Sequence, residues 1–172
     1  AVRAQDLPSH GMEIILVDGG STDETKVIGQ KFGCRWIDNP RTEPIYAKFL
    51  GFNNAEGKYL VYLDHDEVLM STDSFSKRIK VLEEFHEIKA LVISGYINPK
   101  GLPVINDYIN EFGDPFSFFM YRLSKDARFF IPSLRERYSV IKETNDVVIF
   151  NMKGVVNLPL IELCAEIGRA HV

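Results

Sequence analysis

The chain has 172 residues, 45% of them hydrophobic and 26% charged, with 12 Gly and 8 Pro. That suits one globular domain with a sizeable core and excludes a disordered, collagen-like or low-complexity chain. Lys and Arg number 20 against 24 Asp and Glu, a net charge of −4, so no overall positive field exists to recruit nucleic acid or an anionic membrane. Apolar runs such as Leu91 to Ser94 and Val147 to Phe150 fall far short of the roughly 20 residues of a membrane-spanning helix. Cys34 and Cys164 lie far apart with neither CxxC nor Cys/His spacing, and read as reduced core thiols.

In chain order, Ala1 to Gln5 reads as the last turn of a helix, with no initiator Met and no signal peptide before it, so the start is expected to be truncated. Glu13 to Asp18 (EIILVD) is a short apolar run closed by Gly19-Gly20, the pattern of a buried strand ending in a tight turn. Ser21 to Glu24 fits an S-x-x-E capping box, which predicts a helix stopped by Gly33. Cys34 to Ile37 is a second strand, broken by Asn39-Pro40. The next helix is predicted from near Thr42, with Pro44 in its first turn and Gly57 just past its end. Ile45, Phe49 and Phe52 form its expected apolar stripe, with Lys48 on the flank.

Tyr59 to Leu63 (YLVYL) is the strongest strand, continuous, aromatic and β-branched, and it ends in Asp64-His65-Asp66. Phe75, Ile79, Leu82, Phe85 and Ile88 follow at helical spacing after Asp73 or Ser74 as cap, and Ala90 to Ile93 returns to strand. The βα alternation predicts an α/β fold with an open, mostly parallel sheet flanked by helices. Past Asn98 the pattern weakens into an aromatic stretch, Phe112 to Phe130, and a strand at Asp146 to Met152. The last six residues, Ile167 to Val172, read IGRAHV, which ATC GGA AGA GCA CAC GTC would encode. That string resembles a widely used sequencing adapter, so residues 167–172 are expected to be read-through and the natural sequence to stop near Glu166.

In open α/β sheets, ligands bind beyond the carboxyl ends of parallel strands, where helix N-termini also point. Asp18, Asp64 and Asp66 all sit at strand ends and are expected to gather on one rim. Two carboxylates about 4 Å apart repel by roughly 4 kcal/mol at an effective dielectric near 20, and a divalent cation relieves that repulsion. Hard oxygen donors with open positions suit Mg²⁺ or Mn²⁺ carrying a phosphate-bearing substrate, with Lys48 and the positive helix end helping to hold the phosphate.

The stretch Glu13 to Asp66 resembles the family 2 glycosyltransferases of the GT-A fold. The resemblance rests on V-D-G-G-S-T-D at a strand end, on Ala47, Lys48, Gly51, Ala55 and Gly57 as an A-[KR]-x-x-G-x-x-x-A-x-G helix, and on D-x-D ending a hydrophobic strand. It implies transfer of a sugar from a nucleotide-diphospho-sugar donor to an acceptor hydroxyl, with inversion and with Mn²⁺ or Mg²⁺ held through D-x-D. By that resemblance Asp18, Gly19, Lys48, Asp64 and Asp66 form the nucleotide-sugar site. Asp18 lies at the base or ribose, Lys48 near the diphosphate and Asp64 on the ribose or diphosphate side, with Asp66 and Asp64 at the metal. It also implies a single domain over residues 1–166, donor side to about residue 95 and acceptor side from about 96. By the same resemblance, the first strand of the fold is expected to precede this sequence.

Departures accompany the match. Gly19 stands where many relatives have a second acid, and no Glu-Asp pair supplies a general base. Asp107, Glu111 and Asp114 sit in no comparable motif, so the catalytic base is left unknown and expected beyond Glu166. The expected partners are the donor and a sugar, lipid-linked or protein acceptor, without nucleic acid. The expected location is the cytoplasm, with peripheral contact at the inner membrane face for a lipid-linked acceptor.

Plain structural readings compete at several positions. Ser21, Asp23 and Glu24 read as a helix cap, His65 as a surface residue, and Phe116, Phe118, Phe119, Tyr121, Phe129 and Phe130 as core or as an acceptor groove. Two rival functions stand beside the first. Asp64-His65-Asp66 also resembles the first motif of haloacid-dehalogenase-like phosphatases, although Asp18 and DGGSTD then have no role. The other rival is a non-catalytic nucleotide-sugar-binding relative.

Overall fold

The structure, a computed structural model, describes residues 1–7, 11–86, 88, 90–91, 95–112, 124, 126–151 and 166–168. Its elements in chain order are β1 (Ile15–Asp18), α1 (Thr25–Lys31), β2 (Arg35–Asp38), α2 (Pro44–Asn54), β3 (Tyr59–Leu60), α3 (Ser74–Glu84), β4 (Ala90–Leu91), α4 (Val104–Phe112), α5 (Ala127–Arg137), β5 (Val140–Glu143), β6 (Val148–Phe150) and β7 (Glu166–Gly168). They divide into two compact units, Ala1–Leu91 with Cys164–Val172, and Val92–Leu163. Among the described residues no helix is long and apolar enough to cross a membrane.

In the first unit β1 and β2 pair in parallel, with Ile15 opposite Arg35 and Asp18 opposite Asp38. This pair is the parallel part of the expected sheet. The other strands of the unit pair antiparallel in the order β3-β7-β4. α1 crosses between β1 and β2 and lies close on the sheet: a Cβ added at Gly29 would sit 2.7 Å from Leu16 Cδ1. Gly33, at φ +67°, ends the helix as expected, and the Gly33 and Cys34 amides donate to the carbonyls of Gln30 and Gly29. Cys34 is a half-buried free thiol just before β2, while Cys164 lies outside the described residues.

α2 begins with Pro44 in its first turn, as its sequence predicts, but its apolar stripe faces the other way. Ile45 is 83% and Phe49 56% exposed, and Phe52 is also exposed. Ala47, Leu50, Gly51 and Asn54 instead form the half-buried face. Small residues four apart let the helix approach β1 more closely than a phenylalanine face would: a Cβ at Gly51 would lie 3.7 Å from Val17 Cγ2. Arg35 holds the far end of α2 through the Asn54 carbonyl at 2.9 Å and side-chain oxygen at 3.2 Å.

β3 is shorter than the expected strand, because its ladder covers Tyr59 and Leu60 alone among the described residues. α3 buries Phe75 and Leu82, with Phe85 just beyond, and Ile79 and Ile88 are half-buried, so the predicted periodicity faces the core. The start of the chain forms one 3-10 turn, Val2–Ala4, that staples two helices. Arg3 donates to the Phe32 and Gly33 carbonyls at the end of α1. Buried Gln5 accepts from the Phe75 amide at 3.2 Å and donates to the Ser71 carbonyl at 2.8 Å, capping α3 from a distance.

In the second unit Phe130 and Leu134 of α5 are buried, and Phe129 is exposed, so one of that expected aromatic pair is core. Asp126 caps α5 by accepting from the Arg128 amide and pairs with the Arg128 guanidinium at 2.7 Å. That pairing holds the buried Asp126 carboxyl below its ordinary range. β5 and β6 form an antiparallel hairpin, β6 falling within the strand expected at Asp146 to Met152. Asp107 accepts from Asn98. Asp114, Phe116, Phe118, Phe119 and Tyr121 lie outside the described residues.

Candidate functional site

At the carboxyl end of β1, Asp18 organises its own loop. One carboxylate oxygen accepts the Gly20 and Ser21 amides, both at 2.8 Å, and the other accepts the Ser21 hydroxyl at 2.5 Å. The Ser21 side chain, then its amide, holds the Asp18 carboxyl below its ordinary value of 3.8, with the Gly20 amide and Lys26 adding to the effect. This arrangement overturns the predicted capping box. Both Ser21 donors are turned toward Asp18, so the helix starts later, at Thr25, whose amide and hydroxyl donate to Asp23. Glu24 occupies the cap position without a side-chain bond.

The loop after β2 closes against the same edge. The Asn39 amide donates to the Asp18 carbonyl at 2.7 Å. The buried Asn39 side chain accepts from Arg41 N and donates to the Glu43 carbonyl. Thr42 is held at φ +59°, a left-handed conformation that costs a β-branched residue about 1–2 kcal/mol. It packs over Gly19, where an added Cβ would meet Thr42 Cα at 3.4 Å.

α2 links this edge to Asp64-His65-Asp66. Its Gly51 side lies on Val17 of β1, and the Lys48 ammonium sits 3.2 Å from Asp64 Oδ1 and 3.3 Å from Oδ2. The half-buried Tyr62 hydroxyl donates to the Lys48 carbonyl at 3.3 Å, and burial pushes the Tyr62 hydroxyl above its ordinary range. Asp64 and Glu67 close the following turn reciprocally: Asp64 N donates to Glu67 Oε2 at 2.9 Å, and Glu67 N to the Asp64 carbonyl at 3.1 Å. His65 and Asp66 are exposed on that turn, and among the described residues Asp66 has no ion-pair or hydrogen-bond partner.

Lys48 and Asp64 meet in an ion pair that the sequence did not predict, whereas the expected gathering of Asp18, Asp64 and Asp66 around one ion does not form among the described residues. Asp18 is engaged by its own loop and Asp64 by Lys48. Among the described residues no three His, Cys, Asp or Glu side chains converge where they could hold an ion. The charge compensation that Asp64 demands comes from an ammonium. A cation standing there, beside exposed Asp66, fits the mode in which Mg²⁺ takes one or two carboxylates and completes its shell with water and substrate phosphate.

The family described as Glycosyl transferase family 2 matches residues 1–103, a span that contains every side chain of this site. The chain belongs to glycosyltransferase family 2. The match runs through Asp64-His65-Asp66 and sets aside the phosphatase reading of that motif. An uncharacterized glycosyltransferase of Rickettsia felis is 33% identical over 59% of this chain and 17% of its own length. The poly(ribitol-phosphate) beta-N-acetylglucosaminyltransferase TarS of Staphylococcus aureus is 21% identical over 96% of this chain and 31% of its own length. The family 2 chain therefore spans between about a sixth and a third of the curated relatives it matches. A crystal structure of TarS residues 1–349 in complex with UDP superposes with a TM-score of 0.52 at 22% identity, covering 66% of this chain and 33% of that one. This likeness identifies the fold as GT-A.

Sequence reasoning missed four residues that shape the site or its support: Glu67, Asn39, Tyr62 and Gln5. For Glu67 a signal was present, an acid three residues after Asp64 in a turn. Asn39-Pro40 marks a break in sequence, and only the burial of Asn39 shows that it builds the loop over Gly19.

Proposed function

We propose that this family 2 chain carries the donor side of a glycosyltransferase that moves a sugar from a nucleotide-diphospho-sugar to an acceptor hydroxyl. The observation that carries this reading is the Lys48–Asp64 pairing, with α2 joining D-x-D to the strand that bears Asp18. Asp18 stays ionised, and with about four lone-pair sites on its carboxylate and three donors already bound, it retains one acceptor site for a ribose or base donor. Gly19 leaves the backbone open beside it. Lys48 offers a point charge to the diphosphate, without the bidentate fork of an arginine.

Asp66 and Asp64 would hold Mn²⁺ or Mg²⁺, which supplies charge stabilisation of the leaving nucleoside diphosphate when bound. Lys48 adds its charge to the same end. Direct displacement by the acceptor oxygen inverts the anomeric centre, and inversion is part of this reading. In this reading residues 1 to about 95 are the donor side and residues from about 96 the acceptor side of one domain over residues 1–166.

UDP is the first nucleotide to try, given the fold shared with the UDP-bound TarS. Calorimetry with UDP, with and without Mn²⁺, is expected to show metal-linked binding in the wild type and its loss in Asp66→Ala. Unchanged metal-linked binding in that variant would refute the assignment of Asp66.

A further inference from the structure

We infer that Lys48 is a resident stand-in for a divalent cation on Asp64, and that it exchanges this carboxylate for the donor's diphosphate when a divalent ion takes Asp64. The inference rests on the donor-site reading above and adds to it a competition between two cations for one carboxylate.

Four features of the pair carry it. The ammonium straddles the carboxylate, 3.2 Å from Oδ1 and 3.3 Å from Oδ2, the place a cation shared by both oxygens would occupy. The pair is open to solvent, with side-chain exposures of 44% for Lys48 and 47% for Asp64, so it is weak enough to be exchanged. Tyr62 fixes the Lys48 backbone carbonyl and leaves the four-carbon side chain to swing from an anchored base. Asp66, one residue beyond His65, keeps a carboxylate without a protein partner among the described residues. Asp64 thereby keeps a cation in either state: Lys48 before ligands arrive, and the divalent ion once Lys48 has moved to phosphate.

The competition predicts changes of opposite sign in one variant. In the 172-residue chain, Lys48→Met is expected to tighten Mn²⁺ binding, measured without nucleotide by the paramagnetic resonance of the free aqua ion, by roughly two- to fivefold. The same substitution is expected to weaken UDP binding at saturating Mn²⁺, where Lys48 has left Asp64, measured by calorimetry, by about threefold or more. Lys48→Arg keeps the charge on Asp64 and leaves Mn²⁺ affinity near that of the wild type. Lys58→Met removes the same unit of charge from the Glu83 pair and is expected to leave it unchanged, which separates local competition from net charge. In an Asp64→Asn background the gain from Lys48→Met disappears. Equal Mn²⁺ affinity in the wild type and Lys48→Met overturns the inference alone. Absence of Mn²⁺ binding in both overturns the metal part of the proposed function and the inference with it. Circular dichroism of each variant confirms that the fold is retained, because both Lys48 and Asp64 are exposed.

Discussion

Glu67 Oε2 accepts the backbone amide of Asp64 at 2.9 Å, while the Glu67 amide returns a bond to the Asp64 carbonyl at 3.1 Å. This reciprocal pair fixes the turn on which Asp66 is presented. Glu67→Ala is expected to lower affinity for UDP with Mn²⁺ by about three- to tenfold, the equivalent of one lost hydrogen bond. Glu67→Gln keeps an accepting oxygen and should restore most of it. Calorimetry on the two variants checks the order, and equal losses in both would point to charge at Glu67 in place of the bond.

Ser21 controls the titration of Asp18. Because the folded carboxyl titrates below its unfolded value of 3.8, the native state binds fewer protons than the unfolded chain in the window just below that value. The resulting stability is present above pH 3.8 and is lost as the pH falls through the lower, folded value. Ser21→Ala removes the largest cause and should move the Asp18 titration upward. Carboxyl-carbon NMR titration reads that shift directly, and an unmoved Asp18 would sink the assignment of Ser21 as its main donor.

Gln5 caps α3 across 70 residues of sequence. Gln5→Ala leaves the Phe75 amide and the Ser71 carbonyl without this partner in a buried place, so a loss of about 1–2 kcal/mol is expected. Urea denaturation measures it. A change below a few tenths of a kcal/mol would show that water replaces the side chain at no net cost.

Thr42→Gly is expected to act in the opposite direction. Glycine relieves the left-handed strain at φ +59° and gives back part of the gain as chain entropy, for a net increase of about 0.5–1 kcal/mol in stability. For a chain of this size that is a melting-temperature rise of about 1–4 °C. UDP affinity should fall in the same variant, because the loop over Gly19 loses the residue that stiffens it.

Local rules were enough to read the elements whose boundaries depend on neighbours in sequence. Gly33 ends α1, Pro44 opens α2, and Phe75, Leu82 and Phe85 face the core, each through backbone chemistry or periodicity visible in a short window. The readings that failed are those in which a competing partner, near or far in sequence, takes the group first. Ser21 has the right type and spacing for a cap, yet the Asp18 carboxylate offers its hydroxyl and amide a competing acceptor three residues back. Hydrophobicity alone draws the α2 stripe through its largest apolar residues, whereas the strand beneath selects the smallest. At the candidate site, motif order points to Asp18, Lys48, Asp64 and Asp66, and the Lys48–Asp64 contact fits the flank position of Lys48. The three-carboxylate cluster did not follow, because strand-end placement says where a backbone stops and not which donor its side chain has already taken.

α2 rests on Val17 along one side and reaches Asp64 through Lys48 on another. The spacing between the two halves of the proposed donor site is therefore set by the width of a single helix. A bulky replacement of Gly51 would pry the helix off its strand and carry the Lys48 anchor with it, so a change that touches no ligand would detune both halves at once.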